Sequence, residues 1–161
     1  MSVEERWGDS ASRELMARRF LDRSEREEYA RLNPTAQRLW LLSRMAAKDA
    51  VRRALWDAGH GPLFPIEVPL AHDGPDGFTV AGGPAAGRRV AVAASPWVAV
   101  ASLDTAAVEV ECVDGDESAA RHRLLARLAL KSRAGATREE CGILCSAADG
   151  KEYLVARSLP S

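Results

Sequence analysis

The feature that most constrains the fold is one helical segment punctuated at both ends. Asn33-Pro34 supplies the start, because an Asn side chain accepts hydrogen bonds from free first-turn amides and Pro suits the first helical position. Over residues 35–58, Leu39, Leu42, Met45, Ala46, Ala50 and Leu55 recur at helical spacing, and Gly59 supplies the stop. An apolar stripe of this kind is stable when other elements cover it. The 161 residues suffice for one well-packed domain, or for two small lobes sharing a core.

Before this helix, residues 11–32 are dense in charge with Leu15, Phe20 and Leu21 as apolar anchors, and they read as one helix or two short ones. After it the chain changes character. Residues 66–70 and 78–81 read as short strands, separated by the turn-rich stretch 73–77. Three β-like runs follow at 90–94, 97–103 and 108–113, a succession that suggests an antiparallel meander. A second helix begins at 114–117 and is expected to end at Gly135. Asp149-Gly150, between 142–147 and 152–156, is a hairpin signal. Helices, strands, a helix and a hairpin in that order make an α+β chain rather than a parallel βαβ series.

Composition narrows the function classes. A formal charge of −1 gives no global attraction to nucleic acid or to an anionic membrane. The longest apolar region, 90–103, is broken by Ser95 and Pro96, too early for a bilayer span. The polar, acidic residues 1–8 do not read as a secretory signal. Three cysteines make no disulfide framework and suit a reducing cytoplasm, the expected location. Cys141, Cys145 and His122 match no standard zinc spacing. Nothing resembles a P-loop or a dinucleotide-binding glycine loop.

Three features could carry chemistry. Arg44, Lys48 and Arg52 fall at i, i+4 and i+8 of the long helix, a cationic stripe able to hold phosphate, although such stripes are more often solvated faces. Glu109 and Glu111 lie two apart in a β-like run, so both carboxylates share one side while Val108, Val110 and Cys112 face the core. Paired carboxylates suit magnesium, which takes one or two of them together with water and substrate phosphate; an amphipathic strand with a wet face is the commoner meaning. The third feature is the apolar run LALKS at 128–132, with its single Lys131.

The order of these pieces resembles the 4′-phosphopantetheinyl transferases attached to polyketide synthases. The stretch WLLSRMAAKDAVR at 40–52 is similar to that group's "WLLGRxAAKDAVR" helix. Residues 90–103 look like its "VSxAHS…AVA" strand pair, 107–111 take the place of "GIDVE", and 127–132 the place of "RxWxxKE". The polar turn 73–82 falls where the group carries a "GRP"-like stretch.

The resemblance implies two pseudo-repeated α+β halves (here 1–82 and 83–161), with coenzyme A and magnesium between them. It also implies transfer of a phosphopantetheine arm to a serine of an acyl carrier protein, or of a polyketide or fatty-acid synthase. Carried over, Glu109 and Glu111 are metal ligands, Arg44, Lys48 and Ser95 contact the cofactor, and Lys131 is catalytic. The departures are specific. Glu109 stands for an aspartate, Ala94 for the histidine of "AHS", Ser132 for the glutamate of "KE" and Ala136 for a second lysine. The basic residue of "GRP" is replaced at Gly77 or Phe78, and the chain between Glu111 and Lys131 is shorter. Two functions are therefore expected: a transferase, or a non-catalytic module that docks on a carrier protein or synthase.

Overall fold

In the computed structural model, residues 1–4, 9–131, 136–146 and 148–160 are described. Ser132 and the expected helix end at Gly135 lie outside them. The charged N-terminal region forms two helices, α1 (Ser10–Phe20) and α2 (Arg23–Ala30), ahead of the long helix α3 (Pro34–Asp57). Asn33 caps α3, its side chain accepting from the Ala36 amide at 3.0 Å, and Gly59 follows with φ of 85°.

The strands divide into two antiparallel sheets. The first contains β1 (Ser2–Glu4), β2 (Leu70–His72), β3 (Gly77–Val80), β4 (Arg89–Ala94) and β5 (Val98–Leu103), in the order β1-β5-β4-β3-β2. The second contains β6 (Ala107–Cys112), β7 (Ala136–Cys145) and β8 (Glu152–Pro160), in the order β6-β8-β7, with the helix α4 (Glu117–Lys131) between β6 and β7 in sequence. In each sheet the first strand in sequence pairs antiparallel with the last.

Three expectations are corrected here. The strand expected at 66–70 is a short 3₁₀ turn at Pro65–Glu67, closed by the Val68 amide on the Pro65 carbonyl at 3.2 Å; the strand begins only at Leu70. The meander runs β2 to β5 but stops there, because β6 leaves to pair with β8. A division at 82/83 would cut β4 and β5 away from their own sheet; the architecture divides between Leu103 and Ala107.

Side-chain alternation explains the layering. On β4, Val90 and Val92 pack toward α3, while Ala91 and Ala93 face Val108, Val110 and Tyr153 of the second sheet. On β5 the sizes reverse: Ala99 and Ala101 lie under α3, and Val98 and Val100 face the second sheet. Burial on both faces makes these strands continuously apolar instead of alternating with polar residues. The far face of the second sheet takes Ala120, Leu124 and Leu128 of α4 against Ala107, Leu154 and Ala156. The layers therefore run α3, first sheet, second sheet, α4.

The α3 surface toward α2 holds ions. Glu25 (5% exposed) meets Arg44 (2%) at 3.1 Å and Lys48 (0%) at 2.7 Å. Its Oε2 also accepts from the Asp22 amide at 2.9 Å, and the Asp22 side chain accepts from the Glu25 amide at 2.9 Å. This capping box holds Glu25 in place at the start of α2. Burial pulls the Lys48 ammonium below its ordinary pKa, and Glu25 partly offsets that pull. Arg44 also reaches Glu28 at 3.2 Å and lies over the Trp40 ring at 4.0 Å.

Glu25→Gln leaves two buried cations without their shared carboxylate and should cost about 3–5 kcal/mol in denaturant unfolding. Lys48→Met leaves Glu25 paired with Arg44, which also keeps Glu28, and should cost clearly less. Equal losses in the two variants would contradict this account of the cluster.

Candidate functional site

A cleft of about 480 Å³ opens between the N-terminal half of α3, the β3–β4 pair and α4. Leu39, Trp40 and Ser43 line it from α3, Asp76 and Phe78 from the β2–β3 region, and Glu109 and Lys131 from the second sheet and α4. Leu39 belongs to the apolar stripe by spacing, yet it stands 36% exposed at this wall.

Each charged group arrives there for a local reason. Asp76 sits in the turn between β2 and β3, whose backbone is held by the Asp73 amide on the Gly77 carbonyl at 3.1 Å and by the Val92 amide on the Asp76 carbonyl at 2.9 Å. Gly77 is required at the next position, since a Cβ there would lie 2.8 Å from the Val90 carbonyl oxygen. Glu109 and Glu111 point to the α4 side of β6, opposite Val108 and Val110, as two-residue alternation demands. Arg123, Arg127 and Lys131 follow at i, i+4 and i+8 of α4 and meet them.

The acids are closely paired. Glu109 Oε2 accepts from Arg127 at 3.2 Å, while Oε1 contacts the Lys131 ammonium as an ion pair. Glu111 Oε1 accepts from Arg123 at 2.9 Å, and Oε2 lies 2.6 Å from Arg127. Lys131 also donates to Asp76 at 2.7 Å. Partial burial raises the Glu111 pKa, but hydrogen bonds from Arg123 and Arg127 outweigh it and hold the carboxyl below its ordinary value. Partial burial likewise opposes the Lys131 charge, and Asp76 and Glu109 overcome it, so that pKa is raised.

The expected cofactor contacts do not gather here. Arg44 and Lys48 are buried against Glu25, Arg44 lying behind the cleft-lining Trp40, His72 and Phe78, so neither cation is exposed in the cleft. Arg52, the third cation of that stripe, donates to the Leu63 carbonyl at 2.6 Å and to Asp49 at 2.6 Å. Ser95 closes the β4–β5 turn, its Oγ accepting from the Val98 amide at 3.1 Å and donating to the Val98 carbonyl at 3.2 Å; its neighbour Ala94 lines the cleft instead. Glu109 and Lys131 do meet in the cleft, whereas Glu111 stands beside it under Arg123 and Arg127.

Magnesium does not fit these acids as they stand. Every carboxylate oxygen of Glu109 and Glu111 already faces a cation, and a guanidinium cannot shed its proton to make room. Among the described residues no group of three or more His, Cys, Asp or Glu side chains is arranged to hold a metal ion. Among them, too, no helix is long and apolar enough to cross a membrane.

Three participants, Arg123, Arg127 and Asp76, were missed from sequence. The i, i+4, i+8 spacing of Arg123, Arg127 and Lys131 was legible and pointed at a partner acid stripe. Asp76 carried no periodic signal. A second depression, of about 550 Å³, lies between the sheet edges and is lined chiefly by Val100, Val108, Leu144 and Val155. It holds the ion pair of Glu140 with Arg157 at 2.5 Å, against the linked acids and cations that border the cleft. Compared with models of known protein families, with curated proteins and with solved structures, the chain matches none.

The pH dependence follows from the two shifts. The depressed Glu111 pKa contributes stability that is present above the ordinary glutamate value and lost as pH falls through the folded value. The raised Lys131 pKa contributes stability that is present below the ordinary lysine value and lost as pH rises through the folded one. Urea midpoints should therefore be level through neutral pH and fall on acidification, with a shallower acid fall in Glu111→Gln. An acid limb of unchanged steepness in that variant would contradict the assignment.

Proposed function

We propose that this chain is a 4′-phosphopantetheinyl transferase-like protein of two related α+β halves, acting as a docking module for an acyl carrier protein or a polyketide synthase. One observation carries the reading. Glu109 and Lys131, matched separately to the "GIDVE" and "KE" segments of that group, are in ionic contact in a cleft walled by Trp40 and Ser43 of the "WLLSR" helix. The repeated pairing of first strand with last strand in both sheets supports the two-half architecture.

Docking is preferred over efficient transfer because the phosphate-handling groups are engaged elsewhere. Arg44 and Lys48 neutralise Glu25, and Glu109 and Glu111 neutralise the cations of α4. Loss of one group that stabilises developing phosphate charge costs about 10²–10³ in rate, and several are affected here. The second reading, transfer of the phosphopantetheine arm from coenzyme A to a carrier serine with magnesium, is favoured by Asp76, Glu109 and Lys131 standing together in an open cleft.

Incubation with apo carrier protein, coenzyme A and magnesium, followed by intact-mass measurement, separates the two. Unmodified carrier together with carrier binding in calorimetry is the expected result. A mass gain of one phosphopantetheine arm would establish the transferase reading instead. Neither modification nor binding, across carriers of polyketide and fatty-acid type, would remove both.

A further inference from the structure

We infer that the Lys131 ammonium is the resident cation of the cleft, standing between the carboxylates of Asp76 and Glu109 in the role a divalent ion would fill, so that the chain is independent of magnesium while a latent divalent-cation site lies beneath the lysine.

Three elements far apart in sequence converge on this nitrogen. Asp76 comes from the turn before β3, Glu109 from β6, and Lys131 from the last turn of α4. Lys131 therefore joins the layer of the first sheet to that of the second. Glu109 is 5% exposed, and its Oε1 has no aligned hydrogen-bond donor. The Lys131 ammonium is the cation in contact with that oxygen, so the electrostatic compensation of a buried carboxylate atom rests on Lys131.

Among the described residues the balance of the network is three against three: Asp76, Glu109 and Glu111 face Arg123, Arg127 and Lys131. A divalent ion added to it would sit against fixed cations in a site without excess negative charge, and it would have to shed water to do so. Removing the lysine reverses the situation. Two carboxylates, one of them buried, would then border the space vacated by an ammonium, and one or two carboxylates with waters is the usual protein share of a magnesium site. The metal would take over both the charge and the link between layers. The ion pairs carry this independently of any docking role, and neither coenzyme A nor carrier protein enters the measurement.

The full chain is assayed as wild type, Lys131→Met, Glu109→Gln and the Lys131→Met/Glu109→Gln double variant. Manganese binding is read from the loss of the free-ion paramagnetic resonance signal. Thermal unfolding is compared in magnesium chloride and in sodium chloride of equal ionic strength. Wild type should leave the manganese signal free and show no magnesium-specific rise in Tm. Lys131→Met should bind manganese at least about tenfold more tightly than wild type. Its Tm should rise with magnesium, and both gains should vanish in the double variant.

Saturable manganese binding by wild type that disappears in Glu109→Gln would overturn the inference, as would a folded Lys131→Met without any gain. Should circular dichroism show Lys131→Met unfolded, Lys131→Gln is read in the same way. Folding of either variant only when magnesium is present would support the inference. Failure of both to fold even with magnesium would overturn it, because the ion then cannot replace the ammonium.

Discussion

The arrangement of the first layer depends on burying two cations of one helix under a single carboxylate. Arg44 and Lys48 sit one turn apart on α3, and Glu25 accepts from both. A charge taken out of water this far is tolerable only when paired and hydrogen-bonded. Glu25 meets that condition because its backbone and side chain are both fixed by the capping box with Asp22. The same contact docks α2 on α3, and with Tyr29, Leu41 and Met45 it closes the α1–α2–α3 corner. Trp40 packs on that corner, its ring 6.0 Å from Tyr29 and beneath the Arg44 guanidinium, and also lines the cleft.

A second charge layer repeats the device at the opposite surface in a less buried form. There the helix again supplies cations at four-residue intervals, and the strand supplies acids at two-residue intervals. Two helical steps of four residues rise about 12 Å, and one strand step of two residues rises about 7 Å. The periods do not match, so long side chains have to splay. Arg127 takes the middle, bridging Glu109 and Glu111, while Arg123 and Lys131 reach inward from either side. Lys131, at the end of the row, has reach left over for Asp76 across the cleft.

Legibility in the sequence tracked the range of the interaction. The start of α3 was readable because its cap is local, three residues from Asn33 to the Ala36 amide. The sidedness of β6 was readable because alternation is a property of the strand itself. Its partner was not, since β8 begins forty residues beyond the end of β6 and register across such a gap is a tertiary matter. The 3₁₀ turn at Pro65–Glu67 hid behind an apolar run that reads as a strand, although Pro at the start of a turn was the available warning. Arg44 and Lys48 are the most instructive misreading. Their spacing correctly placed them on one side of α3, but spacing cannot tell whether that side meets water, phosphate or another helix. The acid that decides it lies on α2, with no motif linking the two.

The same two acids on a strand can serve as a metal site or as half of a closed ion network, and the difference lies in the facing helix. Glu109 and Glu111 keep the alternation that would present paired carboxylates to an ion. What they face here is a row of Arg123, Arg127 and Lys131, two of which hold their charge at any accessible pH. A strand of acids opposite such a helix satisfies itself, and its carboxylates become structural adhesive between β6 and α4. Only the end of the row stays open to the cleft, where a lysine in place of a third arginine leaves one replaceable cation between carboxylates from two layers. Within this network the replaceable charge is therefore concentrated at Lys131 rather than spread along the acidic strand.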